Sequence, residues 1–192
     1  RFGPYLGTGW KASEGVPMRG GFSSFGEITL ESWLTLADLG GADTGNDCWG
    51  YVSPSGREYA IIGDSQGTSF VEITDPAAPV ILGKISGPNS LWRDVKVFQH
   101  HAYIVSEGGD GIQIVNMSNI DLGLVTLVAT ITTGGTTATH NIAINTDSGF
   151  LYRSGGGDNG LRIYDLNASL TNPPYVGMWI TKYVHDVQIV TY

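Results

Sequence analysis

From Asp47 onward the chain repeats itself about every 45 residues, and every repeat holds the same succession of short extended runs and turns. The first pass reads Trp49 to Ser53, Glu58 to Gly63, Ser69 to Thr74 and Val80 to Ile85, with turns at Pro54-Ser55-Gly56 and Asp64-Ser65-Gln66-Gly67. The second reads Asp94 to Phe98, His101 to Ser106, Ile112 to Met117 and Val125 to Thr132. The third reads His140 to Asn145, Phe150 to Arg153, Leu161 to Leu166 and Tyr175 to Thr181, and a fourth opens with His185 to Val190. β-branched and aromatic residues dominate the runs, as a packed, pleated surface requires. Asp, Asn and Gly fill the turns, where tight backbone geometry favours them.

A period of this length with four strands per unit predicts an all-β fold, a β-propeller of four-stranded antiparallel blades. A single sheet of this kind leaves two faces bare. Radial stacking covers both, so strands become apolar on both sides, as in Ala60-Ile61-Ile62 and Ala102-Tyr103-Ile104-Val105. A β-sandwich also spaces its strands evenly, but here the similarity returns with the unit and not with the strand. The expected organisation is an irregular arm over residues 1–26, punctuated by Gly, Pro and Ser, followed by propeller repeats over 27–192. The blades fall near 47–88, 90–134 and 137–181, with the start of a further blade at 183–192. Residues 27–39 suit either a short helix or a strand. Propellers usually close with about 4–8 blades. The chain is therefore expected to form a partial ring, as a fragment or as one part of a ring completed by further blades or copies.

Composition narrows the partners. Ten basic and eighteen acidic residues give a net charge of −8, which argues against a nucleic-acid backbone or an anionic membrane surface. The most apolar stretch, Leu122 to Ile131, is too short to span a bilayer and carries Thr126 and Thr130. Cys48 is the single cysteine, so an internal disulfide and a cysteine-based zinc cluster are excluded. Gly63-Asp64-Ser65-Gln66-Gly67 matches the nucleophile-elbow pattern, but a β pattern follows it where the elbow needs a helix, so it reads as a hairpin turn. Gly155, Gly157 and Gly160 likewise precede a strand-like run and not the helix that a dinucleotide phosphate requires.

Several segments carry a family resemblance: Asp47-Cys48-Trp49-Gly50-Tyr51, Gly67 through Pro76, Trp92-Arg93-Asp94-Val95-Lys96-Val97, His140 through Asn145 and His185-Asp186-Val187-Gln188. They are similar to the choice-of-anchor B proteins, which are built of LVIVD-type propeller repeats, and the ending Ile73-Thr74-Asp75-Pro76 resembles the repeat signature itself. The second and third units depart from it, since Asn116-Met117-Ser118 and Asp165-Leu166-Asn167 lack the following proline. The resemblance covers about residues 27–192. It implies a propeller that is exported, extracellular or held at the cell surface by varied anchors, with protein or glycan partners at the cell envelope.

The candidate site lies where the first strands begin, at Trp49, Arg93-Asp94, His140-Asn141 and His185-Asp186. First strands are innermost in a propeller, so these residues are expected to ring one mouth of the channel, with Glu107 beside them. His140 and His185 could donate imidazole nitrogens to a divalent metal ion, and Asp94, Asp186 and Glu107 could donate oxygens. The same groups also suit hydrogen bonds to neighbouring backbone that pin the blades together, and Arg93 suits a structural ion network. Trp10, Trp33, Trp92 and Trp179 read as core or blade-interface filling, and Trp49 as the aromatic residue of the mouth. Two functions follow: a binding or scaffold module that meets partners on one face of the ring, or a metal-dependent, lactonase-like hydrolase with Asp186 or Glu107 as ligand or base. A purely structural role in a larger assembly fits the open ring as well.

Overall fold

Each four-strand unit folds into its own antiparallel sheet with its strands in chain order. The computed structural model describes residues 31–158 and 160–192. The expected arm at 1–26 and Trp10 lie outside them. The first sheet contains β1 (Gly45–Val52), β2 (Glu58–Asp64), β3 (Gly67–Glu72) and β4 (Val80–Ser86). The second contains β5 (Arg93–Phe98), β6 (His101–Ser106), β7 (Ile112–Asn116) and β8 (Thr126–Ile131). The third contains β9 (Asn141–Asn145), β10 (Phe150–Ser154), β11 (Leu161–Asp165) and β12 (Tyr175–Trp179). The helical content among the described residues is one 3₁₀ turn, Ile120–Leu122. The fold is thus all-β and blade-like, an open arc of a propeller. Among the described residues no helix is long and apolar enough to cross a membrane.

The inner strands hold the arc together, with β1 against β5 and β5 against β9. Two cores fill the spaces between blades. Tyr59, Ile61 and Phe70 of the first blade meet Val95, Ala102, Ile104 and Val115 of the second. Tyr103, Val105, Ile112 and Ile114 of the second meet Ile142, Leu151 and Tyr164 of the third. Strand alternation explains the division, because Ala102 and Ile104 point one way and Tyr103 and Val105 the other. A strand with a neighbour on each side has no solvent face, and every residue of β6 is buried.

Two features of the repeat concern the backbone. In each blade the third and fourth strands slip register at the same step, leaving Leu82, Val128 and Val176 as extra residues on the outer strand. The third strand starts at or just after a glycine, Gly67, Gly111 or Gly160. A Cβ there would collide with the backbone carbonyl of Ile85, Ile131 or Trp179, respectively, on the outer strand of the same blade. Gly111 and Gly160 also have positive φ, so the position demands glycine on two counts.

Three expectations change. Residues 36–40 form a turn, where the pattern over 27–39 suggested a helix or strand, and residues 27–30 lie outside the described part. Buried Leu39 and Ala42 then carry this segment onto the first blade, where the Leu39 carbonyl accepts a hydrogen bond from Lys84. The run His185 to Val190 is not paired as a strand. It lies beside the third blade, where the His185 carbonyl accepts from Ser154 Oγ and Thr191 Oγ1 from Asn145 Nδ2, and no second strand completes a ladder with it among the described residues. Trp92 and Trp179 are exposed, not core.

Candidate functional site

An innermost strand has one edge in its own sheet and one edge facing the channel, where its amides lack ladder partners. The preceding blade supplies them. Asp47 of β1 accepts a hydrogen bond from the Val95 amide of β5 at 3.1 Å, and Asp94 of β5 accepts one from the Ile142 amide of β9 at 2.8 Å. Both bonds span 48 residues of sequence, so the spacing of the repeat is also the spacing of these staples. Lys96 joins the two acids, with its Nζ 2.5 Å from Asp94 and 3.4 Å from Asp47. The same ammonium sits 4.5 Å from the centre of the Trp49 ring, within cation–π range.

Burial disfavours charge on both carboxylates. At Asp94, burial and the hydrogen bond shared with Asp47 push the carboxyl up to about 7, against the opposing pull of Lys96 and the Ile142 amide. At Asp47, burial is outweighed by the hydrogen bond with Asp94, by Lys96 and by the amides of Val95 and Cys48, which hold the carboxyl below its ordinary value. The two acids therefore titrate as a unit in which Asp94 takes the proton first.

Above this floor lies a cleft of about 210 Å³. Asn46 and Asp47 come to it from the first blade, Arg93, Asp94 and Lys96 from the second, and His140 and Asn141 from the third. Trp92 and Asp186 complete the lining. Of the residues singled out in the sequence, Arg93, Asp94, His140, Asn141 and Asp186 thus share one cleft. Glu107 reaches it through His140, its Oε1 2.7 Å from His140 Nδ1. His185 stands against His140 with ring centres 4.0 Å apart, and its Nδ1 is 2.8 Å from Asp186. Arg93 is buried and donates to the carbonyls of Asp64 and Pro88, so it braces the loops and does not present its charge to the cleft.

Trp49 lies outside this lining. It belongs to a second cleft of about 220 Å³, deeper along the inner strands, with Lys96, Ala143, Ile144 and Gln188. The counterpart of Arg93-Asp94, His140-Asn141 and His185-Asp186 in the first unit is Asn46-Asp47. The pairing of β1 shifts register between Gly45 and Cys48, and that irregularity hides the match. Four residues of the cleft, Asn46, Asp47, Lys96 and Trp92, are not among those the sequence pattern singles out as a site. Aligning Asn46-Asp47-Cys48 with Arg93-Asp94-Val95 and His140-Asn141-Ile142 is the signal that finds the first two.

The donor set does not fit the divalent ion that the two histidines suggested. Among the described residues no group of three or more His, Cys, Asp or Glu side chains is arranged to hold a metal. His140 and His185 are neighbours and each Nδ1 hydrogen-bonds a carboxylate, as the outer partner of a ligating imidazole would, but no third side chain of these types completes a donor set among the described residues. The elbow-like serine is also accounted for, since Ser65 is buried in the β2–β3 turn and its Oγ accepts from the Asp43 amide. No protein-family model matches the chain, and no curated protein matches it.

Proposed function

We propose that the chain is a non-catalytic binding module, exported and associated with the cell surface, that meets a protein or glycan of the envelope at the channel mouth. The observation that carries this reading is the cleft itself. Successive inner strands deliver polar side chains to one small concavity, and the floor is held by hydrogen bonds between blades, so the groups are oriented before a ligand arrives. The support for export and surface attachment is the resemblance of the repeats to choice-of-anchor B proteins. The hydrolase alternative needs a third ligand that converges with His140 and His185, and the described residues form no such group.

Binding of the fluorescently labelled chain to intact source cells tests the reading. Saturable binding is expected, and the double variant Trp92→Ala with Asp186→Ala is expected to abolish it, while Leu122→Ala, on an exposed turn of the second blade, leaves it unchanged. Binding that ignores the mouth variants would contradict the proposal, as would ester or lactone turnover lost in His140→Ala.

A further inference from the structure

We infer that the mouth cleft takes a single neutral sugar unit, stacked on Trp92 and held by hydroxyl contacts to Asp186 and Asn141. This rests on the binding reading above and names its ligand class. Trp92 lines the cleft and is 46 % exposed, although its type and place suggested interior packing. Its ring is the first in a succession of neighbouring aromatic side chains. Trp92 and His140 lie 5.6 Å apart between centres, His140 and His185 4.0 Å, and His185 and Tyr183 6.4 Å.

One face of a pyranose ring is a patch of C–H bonds while its edge carries hydroxyls. It therefore matches a mainly polar cleft that carries one half-exposed tryptophan beside carboxylate and carboxamide groups. Asp186 is an exposed carboxylate at the cleft and accepts from hydroxyls, and Asn141 both donates and accepts.

Size and charge narrow the class. The volume of about 210 Å³ is below the roughly 300 Å³ at which drug-sized ligand pockets begin, so the cleft admits one unit and not a large cofactor. Lys96 offsets the Asp47–Asp94 pair, so Asp186 at the cleft, with Glu107 behind His140, supplies the negative charge that opposes an acidic sugar.

Saturation-transfer NMR and tryptophan fluorescence on the full chain test this, with methyl glycosides of glucose, galactose, mannose and N-acetylglucosamine against glucuronate and N-acetylneuraminate. At least one neutral glycoside is expected to bind, with both acidic sugars weaker. Trp92→Ala is expected to raise Kd about tenfold or more. Trp92→Phe should recover part of that loss and Asp186→Asn should weaken binding less. Trp179→Ala, an exposed tryptophan on the outer strand, should bind as the unaltered chain does. Circular dichroism of each variant separates lost binding from lost folding.

Neutral glycosides that fail to bind, acidic sugars that bind more tightly, or binding that survives Trp92→Ala in a folded variant would each overturn the inference. If no glycoside binds while intact cells still retain the chain through the mouth, the sugar class falls and the binding module stands. If cell binding also ignores the mouth variants, both fall.

Discussion

The second and third blades share one plan but differ in what lies against them. The second is sandwiched. Ile104 and Val115 pack toward the first blade, Tyr103 and Ile114 toward the third, and no residue of β6 is open to solvent. The third blade buries Leu151 and Tyr164 against the second, whereas Phe150, Tyr152 and Ile163, on the other face of its strands, remain half-buried. The residue types are alike on both sides, so burial in this architecture is conferred by a neighbouring blade and not by the strand. A β-branched run states that a strand expects two neighbours. It does not state that it has them.

Substitutions on the two blades should separate these cases. Ile104→Ala removes a fully buried side chain between two blades and is expected to cost about 2–5 kcal/mol in urea unfolding. Ile163→Ala, on the half-covered face of the third blade, is expected to cost about 1 kcal/mol, because less packing is lost there. Equal costs would show that the two blades are covered alike.

A second pair holds the neighbour constant. Gly111→Ala and Gly160→Ala each drive a Cβ into an outer-strand carbonyl of the same blade, at a positive φ. Both are expected to destabilise by about 2 kcal/mol, since the clash is internal to the blade. A large effect at Gly111 with none at Gly160 would show that the third blade is not built like the second.

A further effect concerns pH. The Asp94 carboxyl is raised to about 7 in the fold, from an ordinary value of 3.8. Between those values the folded chain holds a proton that the unfolded chain has released, so the contribution of Asp94 to stability is greatest at acid pH. It falls as pH rises through this range and levels off above about 7. Asp94→Asn keeps an oxygen for the Ile142 amide and removes the proton, so the difference in unfolding free energy between about pH 5 and about pH 8 should shrink by about 2–3 kcal/mol. An unchanged pH profile in this variant would show that Asp94 is not the titrating group.

Much of the fold was legible because the repeat imposes it. Turn clusters such as Asp64-Ser65-Gln66-Gly67 and Gly108-Gly109-Asp110-Gly111 mark hairpins, and the runs between them became strands close to where the pattern put them. The run at His185 has the same character but lacks a paired partner strand, and pairing is a property of two segments. The site was legible in part. Arg93, Asp94, His140, Asn141 and Asp186 share a cleft because equivalent positions of inner strands converge. Trp49 stands at the start of the first run of the repeat, but the counterpart of Asp94 is Asp47, two positions earlier across a register shift. Trp92 and Trp179 show the limit of residue type as a guide, since tryptophan suits a core and an exposed platform equally.

Carboxylates on one inner strand hold the amides of the next, and the cleft exists because they do. Amide hydrogen exchange at Ile142, followed by NMR in the unaltered chain and in Asp94→Ala, reports on that bond directly. The Ile142 amide is expected to be protected in the unaltered chain and to exchange much faster in the variant, while the amides of Ile104 and Ile114, bonded within the second blade, keep their protection. An Ile142 amide that exchanges freely from the outset, or that keeps its protection in Asp94→Ala, would show that the blades are joined by other means.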